Sequence, residues 1–218
     1  MIDEEYFDLS QNVPLITSWE EHRKSAIAVM TGMTGTAVGW EEPDFPVLVS
    51  QAVISQYRKT DEGQLIRAVT LPLFDIIARI MKDPSLMYEI DPRKWEEIIA
   101  ASYDSSRLFD EVTLTPRSGD LGRDLIAVKN GFGSMRLIES VKRYKPGTKT
   151  TAEEVLALLG VLQGDPQATK GIVSTTWEFA PKIEENPFIK KHMPHRLELV
   201  SGEALLKRLS EYSSPKSK

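Results

Sequence analysis

Residues 120–144 of this 218-residue chain, DLGRDLIAVKNGFGSMRLIESVKRY, restrict its fold more than any other stretch. The apolar run LIAV, the turn residues Asn130-Gly131-Phe132-Gly133 and the return from Met135 predict two antiparallel strands joined by a glycine hairpin. Asp124 stands at the start of the first strand and Lys142 at the end of the second, 18 residues later. Pairing therefore brings a carboxylate and an ammonium to one edge of a small sheet. Residues two apart on a strand share a face, so Ser140 and Lys142 point together while Glu139 sides with Leu137 and Val141. Glu139 is accordingly expected to face away from Asp124 and Lys142.

The flanking sequence alternates helix and strand signals. Asp91-Pro92 reads as an N-cap followed by proline in the first turn, opening a helix with Trp95, Ile98 and Ile99 on its apolar face. Residues 111–115 alternate as a strand, and Pro116 and Arg117 begin a turn. Thr151-Ala152-Glu153-Glu154 starts a capped helix with the stripe Val155, Leu158, Leu159 and Leu162, which Gly164-Asp165-Pro166 breaks. Residues 171–176 and 196–200 read as strands, 180–185 as a helical turn, and Ser201 as the cap of a closing helix. From Asp91 the order is α-β-β-β-α-β-(α)-β-α, an α/β arrangement with a mixed central sheet flanked by helices.

Residues 1–90 are expected to form an acidic, mainly helical region. Trp19 to Met30 opens as a helix before a Thr/Gly-rich loop. Leu65, Ile66, Val69, Leu73, Ile76, Ile77 and Ile80 lie close to a helical stripe, with Pro72 as a break or a start. The expected division is 1–90, 91–212 and a disordered tail at 213–218. Residues 1–90 hold 7 basic and 14 acidic side chains, a net charge of −7, whereas 91–218 hold 20 and 18, a net charge of +2. Within 129–149 six basic residues (Lys129, Arg136, Lys142, Arg143, Lys145, Lys149) face one acid, Glu139, a field that favours a phosphate backbone.

The chain has no cysteine and three histidines, so disulfides and thiolate metal sites are excluded and a metal is expected on oxygen ligands, which suits magnesium or manganese. No apolar run approaches the roughly 20 residues that cross a bilayer, and the acidic start MIDEEYFDLSQ is unlike a secretory signal. The expectation is a soluble cytoplasmic protein without a membrane partner.

Hydrolysis of a phosphodiester needs a nucleophilic water, in-line approach and positive charge on the developing phosphorane. A divalent cation held by carboxylates and a neighbouring lysine supply these. The run TPRSGDLGRDLIAV, then SVKRYKPG, the helix TAEEVLALLGVL and the strand KGIVSTTWEF resemble the Mrr-type restriction endonuclease catalytic domain of the PD-(D/E)XK superfamily, over about Pro92 to Leu209. The resemblance implies a restriction-endonuclease-like fold and a Mg2+- or Mn2+-dependent DNA endonuclease, with Asp124 as principal metal ligand and Lys142 as catalytic lysine. Such an enzyme would leave 5′-phosphate ends, act in restriction or defence against foreign DNA, and form a homodimer to cut both strands. Where that family carries Gln or Glu two residues before the lysine, this chain has Ser140. The missing ligand would be the Val141 carbonyl with a water, or a carboxylate on a helix: Glu153 or Glu154, or Glu96, favoured over Glu97 because it follows Trp95.

Arg143, Tyr144, Lys145 and Arg117 read as DNA contacts, and the hydroxyls of Thr175 and Thr176 as phosphate donors. The same residues have plainer readings: helix capping for Glu153 and Glu154, sheet pairing for Thr175 and Thr176, ordinary surface for 143–145. Ser140 also leaves open a DNA-binding or regulatory module without turnover. A nuclease for RNA or branched DNA would use the same side chains.

Overall fold

The computed structural model describes residues 43–117 and 122–213. The expected helix from Trp19, the loop after it, the turn residues 118–121 and the tail from 214 lie outside them. Every described residue belongs to one unit, Pro43–Lys218.

Seven strands form a single sheet in chain order: β1 (Ile54–Thr60), β2 (Gly63–Ala68), β3 (Glu111–Leu114), β4 (Leu125–Lys129), β5 (Met135–Lys142), β6 (Lys170–Thr175) and β7 (Leu197–Val200). Neighbours run antiparallel as far as β5 and parallel from β5 to β7. Connection length sets the change. A turn at 130–134 can only reverse the chain, whereas helix α4 (Ala152–Gly164) carries it back along the sheet before β6. β6 is buried over Gly171 to Thr175, as a strand covered on both faces must be.

One apolar cluster lies under α2 (Thr70–Lys82), α3 (Pro92–Ser106) and α6 (Gly202–Ser213), and takes in Trp95, Ile98, Leu125 and Leu137. A second lies under α4 and the short α5 (Pro187–Lys190), and takes in Ile138, Leu158, Leu162 and Val173. Leu137 and Ile138, adjacent on β5, feed opposite cores, and each buried aliphatic side chain is worth about 1.5–3 kcal/mol.

The helix starts are where local chemistry puts them. The Asp91 carboxylate accepts the Arg93 N–H at 2.9 Å with Pro92 in the first turn, and Thr151 and Glu154 form a reciprocal capping box. α3 ends at Arg107 in the left-handed region, φ 55°.

Residues 43–90 differ from the expectation. A short helix, α1 (Phe45–Ser50), and α2 are present, but residues 54–68 form the β1–β2 hairpin and extend the sheet. Asp61 and Glu62 form its turn, which Gly63 closes. Asp104 of α3 holds the hairpin, accepting Arg67 Nη1 and the Ala68 N–H, both at 2.8 Å. The sheet and its core therefore continue across Asp91, where the sequence suggested a boundary. β1 is an edge strand, blunted by Arg58, Lys59 and a register shift between Gln56 and Arg58.

Gly63 shows why glycine ends this turn. Its φ is 149°, and a Cβ there would stand 2.3 Å from the Leu114 carbonyl oxygen. Gly63→Ala is expected to cost on the order of 2–4 kcal/mol, from the strained backbone and the clash. Denaturant unfolding measures this as a lower midpoint at unchanged slope.

Candidate functional site

Asp124 immediately precedes β4, and its N–H, its carbonyl and one carboxylate oxygen each have a partner. Its N–H donates to the Glu139 carbonyl at 2.9 Å, and its carbonyl accepts the Thr115 N–H at 3.1 Å and Thr115 Oγ1 at 2.9 Å. Carboxylate Oδ2 accepts the Val141 N–H at 2.5 Å. That bond places the carboxylate one residue along β5 from Lys142. Asp124 is thus held against the strand residue that precedes Lys142.

Alternation on β5 does the rest. The Glu139 carbonyl turns toward Asp124, so the N–H and carbonyl of Val141, two residues on, turn to the same side. The ladder with β4 stops at the Leu125–Glu139 pair, which leaves the Val141 carbonyl past its end on the side of Asp124. Ser140 is buried and Lys142 half-buried; both share the face of Ile138, toward α4. Lys142 closes the strand, its carbonyl accepting the Thr176 N–H at 3.0 Å.

Glu139 faces the opposite core, as strand parity requires. It is 1% exposed, with Oε2 accepting the Tyr103 hydroxyl at 2.5 Å and Oε1 accepting the Ser174 hydroxyl. Burial pushes its carboxyl up to about 7, against the lowering effect of the two hydroxyls and Arg208. Burial, with the neighbouring Glu139 carboxyl, also raises the Tyr103 phenol well above its ordinary value. Strand parity predicts the face of Glu139 but not its burial, because Tyr103 and Ser174 lie 36 and 35 residues away.

The helix carboxylates occupy different settings. Glu96, 16% exposed, pairs with Arg93 at 2.5 Å, and Arg93 Nη2 donates to the Thr115 carbonyl at 2.9 Å. Since Thr115 also holds Asp124, Glu96 connects to the site through two residues. Glu97 pairs with Lys94 at 3.3 Å. Glu154 accepts the Thr151 N–H at 2.9 Å and the Tyr144 hydroxyl at 2.6 Å, which, with burial, pushes Tyr144 up to about 12. Glu153 is exposed in the first turn of α4, its carboxyl lowered by its own backbone N–H and the Thr151 hydroxyl. Among the described residues no group of three or more His, Asp or Glu side chains could hold a metal ion.

The expected DNA contacts divide. Lys145 and Arg117 are exposed. Arg143 instead donates Nε to the Ile90 carbonyl and Nη2 to the Tyr88 carbonyl, both at 3.0 Å, and so anchors the loop before α3. Thr175 and Thr176 are 0% and 1% exposed. Thr176 Oγ1 accepts the Tyr144 N–H and donates to its carbonyl, and Thr175 Oγ1 accepts the Trp177 N–H. Buried hydroxyls paired in the fold do not meet phosphate, which corrects that expectation in favour of sheet pairing. Trp177 packs edge-on against Tyr88 at 6.0 Å. Thr115 and Arg93 were not singled out by sequence. The one available signal was Thr115 closing an alternating strand before Pro116.

The raised Glu139 carboxyl has a stability consequence. Its folded value of about 7 exceeds its ordinary 4.5, so the folded chain holds this proton more tightly. The stability it contributes is complete below pH 4.5 and is lost as pH rises to about 7. Relative to Glu139→Gln in metal-free buffer, the wild-type unfolding free energy is expected to fall by on the order of 3 kcal/mol across that window. Chemical denaturation of both proteins from pH 4.5 to 8 checks the slope.

A family model for the Mrr catalytic domain, described as restriction endonuclease, matches residues 87–209. No curated protein sequence matches significantly. Among solved structures, the MspJI restriction endonuclease in complex with a 27-mer oligonucleotide aligns at 15% identity and a TM-score of 0.44, covering 61% of this chain and 30% of that one. The DNA modification-dependent restriction endonuclease AspBHI aligns at 18% identity and a TM-score of 0.40, covering 65% and 35%. The chain thus spans about a third of the length of these two proteins.

Proposed function

The chain belongs to the Mrr catalytic-domain family of restriction endonucleases, and from that premise we propose that it is a metal-dependent DNA endonuclease acting through Asp124 and Lys142. The observation that carries this reading is the bond from the Val141 N–H to Asp124 Oδ2, which ties the carboxylate to the residue before Lys142.

The candidate donors are oxygens: the Asp124 carboxylate, the Val141 carbonyl and the Glu96 carboxylate, whose partner Arg93 also holds the Thr115 carbonyl. Such a set fits Mg2+ or Mn2+, and Mg2+ keeps several waters, so fewer than three protein carboxylates suffice. Glu96 is preferred to Glu153 and Glu154 because Arg93 connects it to the residue that holds Asp124. The bound ion would lower the pKa of a water and offset charge on the phosphate. Lys142 orients the attacking water and places its ammonium against the developing charge. Lys145, Arg117 and the N-termini of α3, α4 and α6, which begin at this end of the sheet, add positive potential for a phosphate backbone. The products are 5′-phosphate and 3′-hydroxyl ends, and cutting a duplex calls for two sites, hence a homodimer. A cytoplasmic role in restriction of foreign DNA accords with this chemistry. Among the described residues no helix is long and apolar enough to cross a membrane.

A binding module without turnover is favoured by Ser140 and by the absence of a three-carboxylate cluster among the described residues. Plasmid cleavage with Mg2+ separates the readings. The wild type is expected to cut and leave ends that DNA ligase rejoins without kinase treatment, with Asp124→Ala and Lys142→Ala each slowed at least 100-fold. Activity surviving both substitutions would remove the assignment, and tight DNA binding without cleavage by the wild type would favour the module.

A further inference from the structure

Backbone groups of Glu139, Thr115 and Val141 each hold Asp124, and the Thr115 hydroxyl adds a side-chain bond to its carbonyl. Thr115 follows β3 and is 1% exposed. Its Oγ1 reaches both the Arg123 carbonyl and, at 2.9 Å, the Asp124 carbonyl, while its own N–H donates to the Asp124 carbonyl at 3.1 Å. Its carbonyl is in turn held by Arg93 Nη2, whose other terminal nitrogen holds Glu96. One residue therefore clamps the peptide on which the Asp124 carboxylate is mounted and ties it to the helix carrying the second carboxylate.

We propose that Thr115 is the positioning residue of this site, with Arg93 as its support. The inference rests on the reading of Asp124 as a metal ligand. The β3–β4 register ends at Leu114–Leu125, and just beyond it the Thr115 hydroxyl meets the carbonyls of Arg123 and Asp124. Rotation of that peptide swings the Asp124 carboxylate, and a displacement of about 1 Å at a catalytic group costs roughly a hundredfold in rate. Removing the hydroxyl while keeping the side-chain volume, as Thr115→Val does, takes this donor from the Arg123 and Asp124 carbonyls and loosens the peptide while its backbone bonds remain. Thr115→Ser keeps the donor. The Thr115 side chain is buried and so out of reach of DNA.

The test compares wild type, Thr115→Val, Thr115→Ser and Asp124→Ala, each checked for folding by thermal unfolding. Mn2+ binding is followed by calorimetry without DNA, duplex binding in Ca2+, and plasmid cleavage in Mg2+. The expected result is a roughly tenfold weaker Mn2+ affinity and a 10- to 100-fold lower kcat for Thr115→Val, duplex affinity unchanged, and recovery of both by Thr115→Ser. Thr115→Val with wild-type Mn2+ affinity and kcat, while Asp124→Ala loses both, would overturn the positioning role and leave the site intact. Equal loss of Mn2+ binding, duplex binding and thermal stability in the Val and Ser variants would also overturn it, as a purely structural effect. If Asp124→Ala binds Mn2+ and cleaves like the wild type, the site reading itself fails and the inference falls with it.

Discussion

Alternation along β5 is the constraint from which the site follows. Consecutive residues of a strand turn their side chains to opposite faces and their amides to opposite neighbours. On β5 this sends the Glu139 side chain into the core beneath α3 and Ser140 and Lys142 toward α4. It also turns the Glu139 carbonyl and the Val141 N–H toward Asp124. A slip of one residue would invert every one of these assignments. The strand is secured against slipping on both sides, by an antiparallel hairpin to β4 and a parallel ladder to β6 that runs from Leu137 to Lys142. The two cores meet on it, so the hydrophobic pattern that builds the fold also fixes which side chains meet at the sheet edge.

What was legible in the sequence was local. Asp91-Pro92, the Thr151–Glu154 box and the glycine turn at 130–133 carry their structural instructions within four residues, and the elements they delimit are present. Strand parity excluded Glu139 as a partner of Asp124, because parity needs no tertiary information. The roles of Arg143, Thr115 and Glu139 were hidden for the opposite reason. Arg143 reaches carbonyls 53 and 55 residues earlier in the chain, and nothing beside it in sequence distinguishes a loop anchor from a phosphate contact. Thr175 and Thr176 looked equally suited to phosphate or to the sheet, and only their burial decides.

The β1–β2 hairpin shows a different ambiguity. Leu65, Ile66 and Val69 fall at spacings that extend the true stripe of α2 backward, so a strand and a helix were read as one helix. Asp61-Glu62-Gly63 breaks a helix or turns a hairpin equally well by composition. What selects the hairpin is remote: a sheet edge at β3 that accepts β2, Asp104 on α3 that captures Arg67 and the Ala68 N–H, and a contact at Gly63 too close for any side chain. Edge strands owe more to the sheet they join than to their own periodicity.

On the proposed reading, Ser140 changes how a cation would be held. A carboxylate at that position would share the face of Lys142, adding a ligand and a second negative charge near Asp124. Serine adds neither, so cation affinity would come from how accurately the remaining oxygens are held. The structure concentrates restraint there. The Asp124 N–H, carbonyl and carboxylate each have a protein partner, Thr115 reinforces the carbonyl with a hydroxyl, and Arg93 joins that clamp to Glu96. Behind the same peptide, Glu139 sits buried under two hydroxyls, its carbonyl receiving the Asp124 N–H. A site with fewer ligands gains most from such pre-organisation, since each oxygen already in place saves ordering entropy when the cation binds.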